Sequence, residues 1–369
     1  MKYTLNKSYI VLVALVLFTA CTKKQAVVPR PAFNADSAYA YIERQMAFGP
    51  RVPNSKAHND CAVWFIQTLR AQGAKVELQR GQMPDYKGDN QQIYNIIAHF
   101  TPSHQGVKSS ARSDAQWSSV EQNGGGASRI LLGAHYDTRP WCDEEEDYSD
   151  RFYNVPGAND GASGVGVLLE IGRQLGLRIA DSTLRTPVDI VLFDCEDMGT
   201  PHFYTGQERE DTWCLGSQLW ATNYAKQFSS LERVKSSARS DVQRTSVEHT
   251  GGVSYSFGII LDMVGAPDAS FPKEMYSTQY AANYQQQIWH AAEQLGYGAM
   301  FNNQQSYPIT DDHYYVNYIA GIPCVDIIHY DIRNATGFPH WWHTRNDDLS
   351  NISKSTLQAV GEVVMSQIK

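Results

Sequence analysis

A single α/β domain, with a central twisted, mostly parallel mixed sheet flanked by helices on both faces, is the fold class the sequence predicts. Three observations point there: short apolar runs that read as strands, helical periodicity between them, and acidic and histidine residues where those runs end. Strands covered on both faces read as near-continuous apolar runs. Their alternation with helical stretches is the pattern of a sheet between two helical layers.

The chain opens MKYTLNKSYIVLVALVLFTAC, with lysines at 2 and 7, an apolar stretch from Tyr9 to Phe18, and Thr19-Ala20-Cys21. This is the order of an export signal, too short to span a membrane comfortably. Small residues directly before Cys21 resemble a bacterial lipoprotein cleavage site. The expected layout is a signal peptide over 1–20, a tether over 21–34 carrying a lipid on Cys21, and one folded domain over 35–369. The expected location is the periplasm, anchored to the outer membrane, with an ordinary secreted form as the alternative.

Within the domain, ADSAYAYIERQMAF and NDCAVWFIQTLRAQG place apolar residues at helical spacing over 35–72, and Gly73 stops the second. Strands are expected at 93–100, 129–134, 188–194, 256–263 and 323–329. Helices are expected at 161–176, 215–227, 280–296 and 353–368, with another opening near 312. Two Ser-rich stretches, VKSSARSDAQWSSVEQNGG at 107–125 and VKSSARSDVQRTSVEHTGG at 234–252, are near-copies of each other. Without a hydrophobic period they read as surface insertions near 101–127 and 229–253, or else as a partner-binding element.

Net charge −8 on 369 residues is mild, and no Lys/Arg cluster interleaves with aromatics, so nucleic acid is not an expected partner. Nothing after residue 21 is apolar and long enough to span a membrane. Membrane association is expected only through a lipid on Cys21, and the chain is expected to be a monomer. Of the cysteines after Cys21, Cys195 and Cys324 sit in apolar runs and read as buried thiols. Cys142 and Cys214 lie in polar loops and could pair.

The chemistry-bearing residues cluster in motifs. AHYDTRP (134–140) ends a strand with His135 and Asp137, which suits a metal ligand or a hydrogen-bonded structural histidine. GANDGASG (157–164) sets Asp160 among small residues ahead of a helix, as a rigid ligand or a helix cap. VLFDCED (191–197) crowds three acids at the end of a very apolar strand, an arrangement that is costly unless a cation sits among them. There Asp197 can bind a metal while Glu196 moves protons. LDMVGAP (261–267) places Asp262 in the same way. TDDH (310–313) puts Asp311 and Asp312 at a helix start, where carboxylates are favoured by the dipole alone. GFPHWWHT (337–344) holds His343 beside Trp342, with Phe338 in the same loop, and reads as a substrate wall. The inventory is that of a catalytic zinc with an open position and a carboxylate beside it.

Taken in order, AHYD, GANDGAS, FDCED, LDMVGAP, DDH and WWHT resemble the zinc aminopeptidase superfamily, and within it the animal-type (type II) glutaminyl cyclases, including those of Bacteroidetes. The resemblance covers nearly the whole chain after the leader. It implies a zinc aminopeptidase-like (phosphorylase/hydrolase-like) domain that closes N-terminal glutamine of peptides and proteins into pyroglutamate with release of ammonia. It further implies one zinc per chain on Asp160, Asp197 and His343. Glu196 would then be the general acid and base, Asp262 and Asp311 its hydrogen-bonding neighbours, and Trp342, Phe338 and His135 the substrate contacts. Co-catalytic aminopeptidases of the same superfamily bind two zinc ions through residues matching His135, Asp160, Asp197, Asp262 and His343, so the ligand inventory alone leaves that activity open. Two positions depart from the animal pattern. Asp197 stands where those enzymes have glutamate, and the loop MGTPHFYTGQERED lacks their tryptophan, a place that His202, Phe203 or Tyr204 is expected to fill.

Overall fold

A computed structural model describes residues 30–103, 128–207, 209–237 and 253–369. The leader, Cys21, most of the tether, the first Ser-rich copy and the second from residue 238 onward lie outside the described residues.

Two helices come first: α1 (Ala35–Met46), whose N-cap Asn34 accepts from the Ser37 N–H, and α2 (Lys56–Ala71), capped by Ser55. Side-chain oxygens satisfy N–H groups that a helix start leaves open. The strands β1 (Lys75–Pro84), β2 (Asn90–Phe100), β3 (Arg129–His135), β4 (Val188–Phe193), β5 (Tyr255–Asp262) and β8 (Cys324–Ile328) form one six-stranded sheet in the order β1-β2-β4-β3-β5-β8. Around them pack α3 (Ala162–Ala180), α4 (Leu215–Ser237), α5 (Met275–Gln294), α6 (Asp312–Tyr318) and α7 (Lys354–Met365). A separate two-stranded ribbon joins β6 (Phe271–Lys273) to β7 (Phe301–Gln305). No helix among the described residues is long and apolar enough to cross a membrane.

The sheet is mixed, as expected. β4, β3, β5 and β8 run parallel, whereas β1 pairs antiparallel with β2 and β2 with β4. Its two faces follow the strand period of two. Ile130, Leu132, Ala134, Ile190, Leu192, Ile259 and Leu261 join the core formed with α1, α2, α3, α5 and α7. Leu131, Val191, Phe193 and Ile260 point the other way, to Trp220 of α4 and Val316 of α6.

The expected central strands and flanking helices are present. β1 escapes apolar-run reading because it is an edge strand, KVELQRGQMP, in which no residue is fully buried. The ribbon strands are too short and polar to show a pattern. α4 runs on to Ser237 where a stop near 227 was expected, so its last turns enter the second insertion.

Parallel strands put the ends of β3, β4, β5 and β8 on one edge, which is where an open α/β sheet carries its ligand. Close packing of α3 on the sheet brings Asp160 to that edge. Gly164 makes the packing possible, since a Cβ there would lie 2.3 Å from the Leu261 carbonyl oxygen and 3.0 Å from the Ala134 Cβ. Gly164→Ala is therefore expected to lower unfolding stability by about 1–3 kcal/mol through overpacking. Chemical denaturation checks this, and an unchanged midpoint would refute the tight α3–β5 contact.

Candidate active site

Each acid at the sheet edge is held by its backbone as well as its side chain. The Asp137 carboxylate, just beyond β3, accepts the N–H groups of Glu196 (3.0 Å) and Asp197 (3.2 Å). The Asp347 carboxylate accepts those of Asn159 (2.8 Å) and Asp160 (3.1 Å). Gly161 lets the Asp160 turn press against β3, since a Cβ there would lie 2.4 Å from the His135 carbonyl oxygen. His343 sits in the left-handed region at φ 52°. Its ring is covered by Trp342 at 3.7 Å between centroids and by Trp213 at 6.3 Å, both nearly parallel to it. Its Nδ1 faces Asp143 at 3.7 Å, and Asp143 is gripped by both arms of buried Arg139 (2.7 and 2.6 Å).

These supports bring the expected residues together. Ligand atoms of Asp160, Asp197 and His343 lie within 4.8 Å of one another, and all three residues are buried. His343 Nε2 is 3.2 Å from Asp197 Oδ1 and 3.4 Å from Asp160 Oδ2. The other oxygen of Asp160 faces His135 Nε2 at 2.9 Å, and that nitrogen is also 3.3 Å from Asp262 Oδ1. Glu196 belongs to two neighbouring groups of the same tightness, one with His135 and Asp197, the other with Cys214 and Asp311. Asp311 stands at the N-cap of α6, yet its side chain makes no capping bond and both carboxylate oxygens are buried without a hydrogen-bond partner.

Crowding sets the electrostatics. Burial, then the charge of Asp197 and those of Asp311 and Asp312, pushes the Glu196 carboxyl well above its usual range. Burial and the charge of Asp160 lift Asp262 to about 7. Asp160 goes the other way: burial would raise it, but hydrogen bonds from His135 and His343 hold it below the ordinary carboxylate range. His135 is raised well above its normal value because Asp137, Asp160 and Asp262 outweigh its burial. Carboxylates this close, with Asp197 Oδ2 buried and unpartnered, are short of positive charge. Two carboxylates and one imidazole around a common point are a donor set that suits zinc with a position left open.

One cavity of about 480 Å³ opens onto this cluster. Asp160, Glu196, Asp197, Asp262, Asp311 and His343 line its floor, and Trp213, Phe338 and Trp342 its aromatic wall. Three expectations need correction. His135, expected to touch substrate, is 1% exposed behind Asp160 and Asp262 and does not line the cavity. Of the residues expected to stand in for the missing tryptophan, none lines the cavity; Trp213, just past the end of that loop, does. Phe203 and Tyr204 instead pack on Trp141 and Tyr86, and His202 pairs with Glu144. Cys142 and Cys214 do not pair; both are buried free thiols, and Cys214 lies against Glu196. Sequence reading missed Asp143, Asp347 and Arg139 because each acts through a fold contact that no local pattern marks.

The sequence model of Peptidase family M28 matches residues 119–368. The crystal structure of Tannerella forsythia glutaminyl cyclase is 42% identical, with a TM-score of 0.74 over 92% of this chain and 99% of that one. A Zn-dependent exopeptidase from Parabacteroides distasonis ATCC 8503 is 39% identical, with a TM-score of 0.75 over 92% of this chain and 99% of the other. Among curated proteins, the glutaminyl-peptide cyclotransferase of Bos taurus is 22% identical over 250 residues, 64% of this chain; the match spans 60% of the length of that relative.

Asp347 gives the site a test remote from the cavity. Asp347→Ala strands the N–H groups of Asn159 and Asp160 and frees the Asp160 turn. Zinc affinity is expected to fall roughly 10–100-fold, as when an orienting partner of a ligand is lost. Competition with a chromogenic chelator measures it, and wild-type affinity would show that Asp347 has no part in holding Asp160.

Proposed function

The chain belongs to peptidase family M28, and from that premise we propose that it is a zinc-dependent glutaminyl-peptide cyclotransferase, closing N-terminal glutamine of peptides and proteins into pyroglutamate with release of ammonia. The observation that carries this reading is that Trp213, Phe338 and Trp342 line the same cavity as the ligand trio and Glu196. A glutamine side chain entering between those rings meets the ligand site and the base together. The neighbour of 42% identity, itself a glutaminyl cyclase, supports the same activity.

Asp160, Asp197 and His343 would hold one zinc. Bound there, the metal supplies a Lewis acid for the side-chain amide carbonyl and for the charge that builds on its oxygen. The cavity lining contains acids and no Lys or Arg, which draws in a peptide's cationic N-terminus. Once that amine is neutral, its nitrogen attacks the side-chain carbonyl carbon. Glu196 takes a proton from the attacking nitrogen and gives one to the departing NH₂ as the carbon–nitrogen bond breaks, so ammonia and the closed ring leave with no net proton consumed. Asp311, within the Glu196 group, and Asp262, tied to His135, hold the surrounding charge in place. The aromatic wall sets the side chain in an attack geometry and keeps water out; the nucleophile belongs to the substrate, so no water has to be activated.

A second reading rests on one observation: Asp160 divides its oxygens between His343 and His135, and His135, Asp160 and Asp262 form a second tight group. Two metals there would suit an aminopeptidase. Incubation with Gln-naphthylamide and Leu-naphthylamide, with zinc counted per chain, separates the two. Ammonia release and one zinc are expected; free leucine and two zincs would overturn the cyclase reading. Glu196→Gln is expected to lower kcat about 10²–10⁴-fold, the usual contribution of a general base, while zinc stays bound. Near-normal cyclisation by that variant would remove Glu196 from the proton path.

The same proposal places the protein in the periplasm on a lipid at Cys21, on the strength of the apolar leader and the small residues before that cysteine. Mass spectrometry of the mature N-terminus tests it. Cleavage anywhere other than before Cys21, or an unmodified Cys21, would count against the anchor.

A further inference from the structure

We infer that Cys214 is the positioning residue of Glu196, a proposal that rests on the reading of Glu196 as the proton carrier. One residue holds the glutamate at both ends. The Cys214 N–H donates to the Glu196 carbonyl oxygen at 2.8 Å, and the Cys214 thiol donates to Glu196 Oε1 at 3.1 Å. Among the hydrogen bonds of the described residues, this thiol provides the only one to the Glu196 carboxylate. Its neighbour repeats the backbone grip, since the Leu215 N–H donates to the Cys195 carbonyl at 3.0 Å.

The thiol is itself fixed by the start of α4. The Cys214 carbonyl accepts the Gln218 N–H at 3.0 Å and the Ser217 hydroxyl at 3.1 Å. The Gln218 side-chain amide donates to the carbonyls of Asp211 and Trp213, both at 2.9 Å, so the loop entering the helix is tied down on its far side. Cys214 and Cys195 both adopt left-handed backbone, at φ 56° and φ 54°, which turns the two segments toward each other. Burial, with Glu196, Asp312 and Asp311 alongside, keeps the thiol protonated and therefore a donor. Cys214 is fully buried, so it orients the glutamate without meeting substrate. A base whose carboxylate must face an attacking amine needs such an orienting partner, since misplacement by an ångström is enough to slow the chemistry.

The test uses the zinc-loaded full chain with Cys214→Ala, Cys214→Ser and Cys214→Gly, each assayed for kcat and KM on a Gln-peptide, for bound zinc and for melting temperature. Ala removes the donor and is expected to lower kcat about tenfold, in line with loss of an orienting partner, with KM and zinc unchanged. Ser restores a donor and is expected to recover most of kcat. Gly removes the thiol yet accepts the left-handed backbone, so it answers the same question if Ala does not fold. Wild-type kcat in Ala or Gly would overturn the proposal. So would equal losses in Ser and Ala, or losses that track zinc or melting temperature, because these describe packing alone. The wild type runs beside them on Leu-naphthylamide. If it releases leucine and no ammonia, the cyclase reading fails, and the same comparison of kcat on the leucine substrate still decides whether Cys214 orients Glu196.

Discussion

Mutual repulsion among buried carboxylates is the constraint on which the rest of this structure depends. Asp160, Glu196, Asp197, Asp262, Asp311 and Asp312 share the buried edge where the parallel strands end, and no lysine or arginine lines the cavity that all of them but Asp312 face. In a low-dielectric interior, such a set stays together only where opposite charge, hydrogen bonds or protonation offset the repulsion. All three are used. The imidazoles of His135 and His343 face Asp160 and hold its carboxyl below the ordinary range, backbone N–H groups meet Asp137 and Asp347, and burial with neighbouring charge pushes the Glu196 and Asp262 carboxyls up.

The neighbours of the cluster explain why it is precise and not merely acidic. Arg139 binds Asp143 through two nitrogens, Asp143 faces His343, and the His343 ring stacks on Trp342 with Trp213 nearly parallel to it further off. Each link restricts one rotation of the ligand imidazole, and the same tryptophans wall the cavity. Positioning of the histidine and shaping of the substrate pocket are therefore one structural feature. On the other side, the VLFDCED turn is gripped from the start of α4, so the acid that moves protons and the acid that binds metal are presented by one turn, with Asp197 reaching the His343 group and Glu196 reaching the Cys214 and Asp311 group.

How much was legible in the sequence varies with the range of the contact. The central strands showed themselves as apolar runs because both of their faces are covered. β1 did not, since half of an edge strand faces solvent. Asp160, Asp197, Asp262 and His343 were recognisable because each ends an apolar run or sits in a Gly-, Pro- or aromatic-rich loop, where local composition is abnormal for packing alone. Trp213 was passed over because the loop between it and Asp197 gives no measure of how the chain doubles back. Cys214 looked like a loop thiol available for pairing, and only the approach of the α4 start to the VLFDCED turn puts it against Glu196. His135 carried the opposite error: its strand-end position is right, but its depth behind Asp160 depends on how closely the Gly161 turn can approach β3.

The sequence by itself determined the α/β alternation, the edge of the sheet that carries the chemistry and the acids and histidine that meet there, because strand and helix periods and local charge density are properties of short segments. Tertiary structure alone decided which of those groups face the cavity, which are buried behind it, and which distant residues hold them. Those outcomes depend on distances between segments far apart in the chain, as where Asp347 reaches the Asp160 turn, and no local period encodes such distances.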